Sequence, residues 1–133
     1  MDDSSSQEHL EVIRRAAHAM RGLDLLMLFG SRARGDAHTR SDWDFGFLAS
    51  PDVDIPAFLS ALVEATGSDR VDLVDLSRAS GVLRFRAARD GQVLHERTPG
   101  VGDEFRLEAA RFWCDMAPIL ERGYAEILAD LQP

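Results

Sequence analysis

The sequence predicts a mixed α/β (α+β) fold, in which a small mixed β-sheet is flanked by helices and followed by a C-terminal helical segment. Short apolar runs of strand length, such as residues 25–29, alternate with longer segments in which apolar residues recur every three or four positions. Capping residues precede several of these longer segments, and glycines follow them. Strands separated by helices are typical of a sheet covered by helices, and we expect the helices mainly on one face.

Individual elements follow from local signals. We predict strands over residues 25–29, 43–49, 70–76 and 92–95, and helices over residues 6–21, 55–65, 78–89 and 103–131. Ser5 and Glu8 fit a capping box at the start of the first helix. Asp54 can cap the second helix, with Pro56 in its first turn. Pro118 is expected to kink or split the last helix.

Length and composition are those of a globular protein. The chain has 133 residues, and we assign residues 1–133 to one domain with a single core. No apolar run approaches the roughly 20 residues of a membrane-spanning helix, and the N-terminus lacks the apolar segment of a signal peptide. The single cysteine, Cys114, lies in an apolar helical pattern and is expected to be a small buried thiol. These features predict a cytoplasmic protein.

The charged residues exclude several classes of function. A formal net charge of -8 argues against general nucleic-acid binding, which needs a basic face, and leaves room for a basic protein partner. All 15 basic residues are arginine. Without lysine the chain has neither a P-loop nor a Schiff-base or lysine nucleophile.

Residues that predict a function are concentrated between Leu25 and Ala49, in the stretch LLMLFGSRARGDAHTRSDWDFGFLA. Asp42 and Asp44 lie two apart at the start of the second strand, so their carboxylates point to the same side. Two like charges side by side repel each other and lose hydration when they are partly buried. A divalent cation between the carboxylates relieves both costs, and the pair therefore predicts a metal site.

The turn after the first strand has the complementary chemistry. Gly30 allows a phosphate to approach the backbone closely, because it has no side chain. Ser31 adds a hydroxyl and is expected to open a helical turn whose N–H groups attract anions. Arg32, Arg34 and Arg40 add positive charge to the same loop. Together, turn and carboxylates predict a site for a magnesium-bound nucleoside triphosphate.

Each feature alone has an ordinary structural explanation, since Gly-Ser is a common turn and Asp-x-Asp is often a solvated strand end. Their combination is more specific. Ten residues separate Ser31 from Asp42, and this spacing resembles the G-S-x10-D-x-D signature of the nucleotidyltransferase superfamily that includes DNA polymerase beta. The closer resemblance is to the minimal nucleotidyltransferases, the MntA-type antitoxins of HEPN/MNT toxin–antitoxin pairs. The segment GSRARGDAHTRSDWDF carries it, and it implies a nucleotidyltransferase fold.

A third carboxylate is expected in the strand over residues 70–76. As an isolated residue, Asp72 is better explained as a surface acid at a strand end, and it becomes informative only beside the proposed Asp42 and Asp44. Asp75 competes for the role from the opposite face. The family resemblance implies the first Asp of the V-D-L-V-D-L segment, which is Asp72. With Asp42 and Asp44 it would hold magnesium, expected as two ions, and would accept the proton of the attacking hydroxyl.

The resemblance also implies an activity and a partner. It implies a protein adenylyltransferase that moves AMP from Mg-ATP to a tyrosine hydroxyl of a partner HEPN toxin RNase and thereby acts as the antitoxin. One alternative is a nucleotidyltransferase that modifies a small molecule such as an aminoglycoside. Another is an antitoxin that neutralises its partner by binding alone. A polymerase is disfavoured by the net charge and by the lack of a recognisable nucleic-acid-binding module.

Other chemically interesting residues receive structural explanations. The four histidines, His9, His18, His38 and His95, lack the spacing of metal ligands. Trp43 points away from its flanking acids and is expected in the core. The arginines of the helix over residues 78–89, namely Arg78, Arg84, Arg86 and Arg89, are expected to form a solvated face, with docking of a partner as the alternative.

Overall fold

The structure is a computed structural model, and it describes residues 2–34 and 42–131. His38 and Arg40 of the predicted site loop lie outside these residues. In chain order the elements are α1 (Asp2–Ala19), β1 (Leu23–Phe29), α2 (Ser31–Arg34), β2 (Trp43–Ala49), α3 (Ile55–Thr66), β3 (Val71–Asp75), α4 (Gly81–Asp90), β4 (Gln92–Glu96) and α5 (Val101–Leu131).

The described strands form one mixed sheet in the order β3-β2-β1-β4. β1 is antiparallel to both of its neighbours, whereas β2 and β3 are parallel. The parallel pair requires a crossover connection, and α3 supplies it. Each predicted strand overlaps one observed strand, and the predicted mixed sheet flanked by helices is confirmed.

Helices cover both faces of this sheet, so the expectation that they lie mainly on one face is wrong. On one face, Ile13 of α1 and Leu62 of α3 pack with Phe45 of β2. On the other, Ala87 of α4 and Phe105 of α5 belong to a second cluster with alternate residues of β1. The physical reason is visible in β1, whose unbroken apolar run is typical of a strand that is buried on both sides.

Local capping signals place the helix boundaries well in α3 and less well in α4. Asp54 accepts a hydrogen bond from the backbone N–H of Ala57 (3.1 Å), and Gly67 ends α3 in the left-handed conformation (φ 65°). α4 begins later than predicted, because Ser80 is its N-cap. The preceding segment forms a turn in which Asp75 accepts a hydrogen bond from the N–H of Ser77 (3.0 Å).

The arginines of the predicted basic face have different environments. Arg78 precedes α4 and its side chain is 88% exposed, as a solvated residue should be. Arg84 is instead half-buried, with its guanidinium carbon 5.7 Å from the centre of the Phe105 ring of α5. The contact between α4 and α5 therefore removes one arginine from the predicted solvated face.

α5 corrects two further expectations. It runs as one helix of 31 residues through Pro118, so the helix is not split there. Cys114 is exposed, so the prediction of a buried thiol is wrong.

A 31-residue helix such as α5 is about 46 Å long, whereas a seven-residue strand spans about 23 Å. The sheet therefore covers the start of α5, around Phe105, and leaves Ile119 half exposed at 51%. None of the described helices has the length and apolar character needed to cross a bilayer.

Two leucines of α3 provide a test of this packing. Leu62 is fully buried between α3 and the sheet, whereas Leu59 is 37% exposed on the same helix. We expect Leu62→Ala to lower the free energy of unfolding by about 3 kcal/mol, because it leaves a cavity in the core. Leu59→Ala is the matched control and should cost less than about 1 kcal/mol. Urea denaturation measures both, and equal costs would contradict the described orientation of α3.

Candidate active site

The predicted carboxylates lie at the end of the sheet where β1 ends and β2 and β3 begin. Strand pairing places Asp44 opposite Phe29 of β1 on one side and opposite Asp72 of β3 on the other. Asp44 is half-buried, whereas Asp72 is exposed. Asp42 is also exposed and directly precedes β2. The fold thus brings two of the three predicted acids to paired positions and keeps the third beside them.

These acids influence one another electrostatically. The pKa of Asp44 is raised, chiefly because burial disfavours its charged form and also because of the negative charges of Asp72 and Asp42. The positive charge of Arg34 acts in the opposite direction. The charges of Asp72, Asp42 and Arg34 therefore all act on the carboxylate of Asp44.

Asp75, the alternative third acid, serves the turn after β3. Its carboxylate accepts hydrogen bonds from the N–H of Ser77 (3.0 Å) and from the Ser77 hydroxyl (2.6 Å), and it pairs with Arg78 at 3.8 Å. It lies three residues beyond Asp72, which is about 10 Å along a strand. Of the two alternatives, Asp72 is the acid that lies next to Asp44.

The Gly30-Ser31 turn is in contact with this acidic group. Ser31 is the first residue of α2, as predicted, and the N–H of Arg34 donates to the Gly30 carbonyl (3.2 Å). Gly30 has a φ of +76°, a left-handed conformation that favours glycine. A Cβ on Gly30 would collide with a carboxylate oxygen of Asp44 and lie 3.3 Å from its Cγ. Two features thus require glycine at this position, namely the left-handed backbone and the close contact with Asp44. The approach of a phosphate, which the sequence predicts, would be a third reason.

The two described arginines of this turn have different surroundings. Arg34 is exposed, and its charge acts on Asp44 and on Asp90. Arg32 is half-buried, with its guanidinium carbon 4.0 Å from the centre of the Trp43 ring. Trp43 is only 3% exposed, so its predicted place in the core is confirmed.

Sequence reasoning missed the end of α4 as part of this region. Gln92 pairs with Leu28 near the end of β1, so the C-terminus of α4 reaches the same end of the sheet as the carboxylates. There Arg89 forms an ion pair with Asp90 (2.8 Å). The pKa of Asp90 is lowered, chiefly by the hydrogen bond from Arg89, with smaller contributions from Arg34 and Arg86. These residues approach the turn only because β4 pairs with β1, and no local sequence pattern predicts that approach.

The donor chemistry of the site fits magnesium. Among the residues that the structure describes, no three His, Cys, Asp or Glu side chains form a ready-made metal cage. Magnesium does not require one, because it commonly binds one or two carboxylates and completes its octahedron with water and substrate phosphates. The paired Asp44 and Asp72, with Asp42 beside them, offer oxygen ligands and excess negative charge. These residues suit a magnesium ion that binds together with a nucleotide.

Comparison with known proteins gives the family. A family model described as polymerase beta, nucleotidyltransferase, matches residues 11–99, which include all four described strands and every predicted site residue. The chain belongs to this nucleotidyltransferase family. The predicted nucleotidyltransferase fold and the resemblance to minimal nucleotidyltransferases are confirmed.

Individual relatives make the comparison more specific. The protein adenylyltransferase MntA of Aphanizomenon flos-aquae is 36% identical over 96 residues, covering 62% of this chain and 61% of the relative. The protein adenylyltransferase MntA of Shewanella oneidensis is 41% identical over 75 residues, covering 54% and 53%. This chain thus spans about half to three fifths of the length of these curated relatives. A crystal structure of a toxin–antitoxin with AMP-PNP contains a similar chain, with a TM-score of 0.71 and 25% identity over 92% of this chain and 98% of that one.

Gly30 provides a test of the contact between turn and carboxylate. Gly30→Ala forces alanine into a left-handed conformation, which costs about 1–2 kcal/mol, and also displaces Asp44. Gly67→Ala is the matched control, because Gly67 has a φ of +65° and no atom within 4 Å of an added Cβ. We expect a larger loss of unfolding free energy for Gly30→Ala, and the excess should disappear when Asp44 is also replaced by alanine. Equal losses at the two glycines would show that Asp44 does not press on the turn.

The raised pKa of Asp44 predicts a pH-dependent stability. Between the ordinary pKa of 3.8 and the higher pKa in the folded protein, the folded state binds more protons than the unfolded state. Folding therefore becomes less favourable as the pH rises through this window, and the whole penalty is present above it. Asp44→Asn should accordingly be more stable than wild type at pH 7, with an advantage that shrinks towards pH 4.

Urea midpoints measured in EDTA at both pH values test this expectation. Asp75→Asn is the matched control and should give no gain at pH 7, because it alters an acceptor that serves the turn after β3. A loss of stability for Asp44→Asn at pH 7 would contradict the penalty that burial and the neighbouring carboxylates impose on ionised Asp44.

Proposed function

We propose that this chain is a protein adenylyltransferase that transfers AMP from Mg-ATP to a tyrosine hydroxyl of a HEPN-family toxin RNase, and so acts as its antitoxin. The observation that carries the proposal is the pairing of Asp44 with Asp72 beside the Gly30 turn, within the segment that matches the family. The names of the two MntA relatives support the activity. The similar chain in a toxin–antitoxin structure with AMP-PNP supports a toxin as the partner and an ATP-like nucleotide as the ligand.

The reaction is an in-line displacement at the α-phosphorus of ATP. The tyrosine oxygen forms a bond to this phosphorus while the bond to the bridging oxygen of the β-phosphate breaks, and diphosphate leaves. Magnesium held by Asp42, Asp44 and Asp72 would neutralise phosphate charge and lower the pKa of the attacking hydroxyl. We assign the proton of that hydroxyl to Asp72, which is exposed at the start of β3 and open to an incoming acceptor.

The turn and Arg34 have the role of holding the phosphates. Backbone N–H groups at Gly30 and Ser31, where α2 begins, suit the negative charge of the triphosphate tail and of departing diphosphate. Arg34 already exerts its positive charge at Asp44, so it can act on phosphates bound there. This arrangement binds the nucleotide on one side of the carboxylates and leaves the side of Asp72 for the acceptor.

Neutralisation by binding alone is the second candidate, and one observation favours it. Phe112 and Ile119 on α5 are 46% and 51% exposed, and large exposed apolar side chains are common where proteins associate. Binding through α5 and catalysis at the carboxylates are separable, because the described carboxylates lie on the sheet rather than on α5.

A toxin-rescue experiment separates the two candidates. Asp42→Ala combined with Asp44→Ala should abolish AMP transfer, because it removes the proposed metal ligands, and should leave the partner bound through the helical surfaces. Protection of cells from the toxin should then fail, while the toxin from wild-type cells should be heavier by one or more AMP units in intact-mass measurements.

Asp75→Ala is the matched control, because Asp75 lies on the same strand as Asp72 but serves the turn. It should keep both transfer and rescue. Full rescue by the double variant at equal expression would instead show that binding alone neutralises the toxin.

A further inference from the structure

Arg32 lies in the proposed phosphate-binding turn, yet its guanidinium rests on an aromatic ring. Its guanidinium carbon is 4.0 Å from the centre of the Trp43 ring, well within the distance of a cation–π contact. Burial lowers the pKa of Arg32, but an arginine keeps its charge at physiological pH. The turn is thus attached through Arg32 to the first residue of β2.

The ring beneath Arg32 is firmly held. Trp43 is 3% exposed and stacks on Phe45, with ring centres 6.0 Å apart and planes 11° from parallel. His9 of α1 meets the same ring edge-on at 5.8 Å. The backbone N–H of Trp43 donates to the carbonyl of Arg70 (2.8 Å), which joins the start of β2 to the start of β3. Trp43 therefore presents a fixed surface to the guanidinium.

The turn itself has little internal stability. α2 contains four residues, and its described backbone bond runs from the N–H of Arg34 to the carbonyl of Gly30 (3.2 Å). One helical turn is not stable in isolation, because ordering its residues costs more than one hydrogen bond returns. Contacts outside the turn must therefore hold it, and the stacking of Arg32 on Trp43 is such a contact.

Helix geometry separates the roles of the two arginines. Residues two apart on a helix are rotated by about 200° and point in nearly opposite directions. Arg32 lies on Trp43, whose side chain points to the face opposite Asp44, whereas the charge of Arg34 acts on Asp44. Arg34 is the arginine suited to phosphate, and Arg32 is suited to holding the turn.

We propose that Trp43 and Arg32 form a clamp that positions the Gly30-Ser31 turn against Asp44, so that both residues set the nucleotide site without touching the nucleotide. The clamp rests on the proposed function to the extent that this turn binds phosphates. Trp43 lies between Asp42 and Asp44 in the chain and is then a positioning residue, which acts through the flat face of its aromatic ring.

Hydrogen exchange of the nucleotide-free protein tests the clamp independently of any activity. Trp43→Leu and Arg32→Met should each raise the exchange rate of the Arg34 amide, which donates to the Gly30 carbonyl, about tenfold, because each removes the cation–π contact. Trp43→Phe keeps a ring and Arg32→Lys keeps a cation, so both should stay near the wild-type rate. Phe47→Leu, which alters another buried ring of β2, is the control for a general loss of packing and should leave α2 unchanged.

Exchange of α2 that is as slow in Arg32→Met as in wild type would overturn the clamp. So would equal acceleration in Phe47→Leu, because the effect would then come from the core. Arg32→Met keeps the test informative if Trp43→Leu does not fold, since Arg32 is only half-buried.

Calorimetric titration with Mg-AMP-PNP tests the consequence for the site. Trp43→Leu and Arg32→Met should each raise the dissociation constant about tenfold, or 1.4 kcal/mol. Their combination should raise it no further, because the cation–π contact that either change removes can be lost only once. A hundredfold loss in the double variant would show that the two residues act on the site independently, and would overturn the proposal. If wild type fails to bind Mg-AMP-PNP, the proposed function falls, while the exchange rates still decide whether the clamp exists.

Discussion

The pairing of Asp44 with Asp72 across two parallel strands is the constraint on which the candidate site depends. Paired positions on neighbouring strands lie on the same face, about 4.8 Å apart, so the two carboxylates repel each other. Burial is the chief cause of the raised pKa of Asp44, and the negative charges of Asp72 and Asp42 add to it. An arrangement that opposes folding in this way is explained by a ligand that neutralises it, and a magnesium-bound triphosphate has the right charge and oxygen chemistry.

The rest of the fold holds this unfavourable group in place. β1 is apolar on both faces and lies between β2 and β4, with a helical layer on each side. Its end carries Gly30 directly against Asp44, while the pairing of β2 with β3 fixes Asp72. Side chains buried on two faces cannot shift without losing packing, so the core resists the separation that repulsion would otherwise produce. The packing of the core thus compensates for the repulsion among the carboxylates at this end of the sheet.

Much of the fold and the position of the site could be predicted, because the signals are local. The apolar run of β1, the cap at Asp54 and the spacing from Ser31 to Asp42 all depend on residues near each other in the chain. Apart from the starts of α1 and α4, where the helix boundaries differ from those predicted, what failed depends on contacts between distant segments. Periodicity shows that Cys114 lies on a helix, but not that the sheet is too short to cover it. Likewise, no local pattern reveals that Arg32 rests on Trp43 or that Asp90 approaches Arg34.

Membership of the family indicates transfer of a nucleotidyl group more specifically than it indicates the acceptor, because one set of carboxylates can act on unrelated acceptors. The burial of the acids gives additional information. Asp44 is half-buried against the Gly30 turn, where the phosphates of a nucleotide would lie, whereas Asp72 is exposed at the start of β3. A proton acceptor that is open to solvent can be reached by a hydroxyl on the surface of another macromolecule, whereas a small acceptor would gain from an enclosing pocket. The change from a half-buried to an exposed acid across the paired strands therefore favours the proposed protein acceptor over a small molecule.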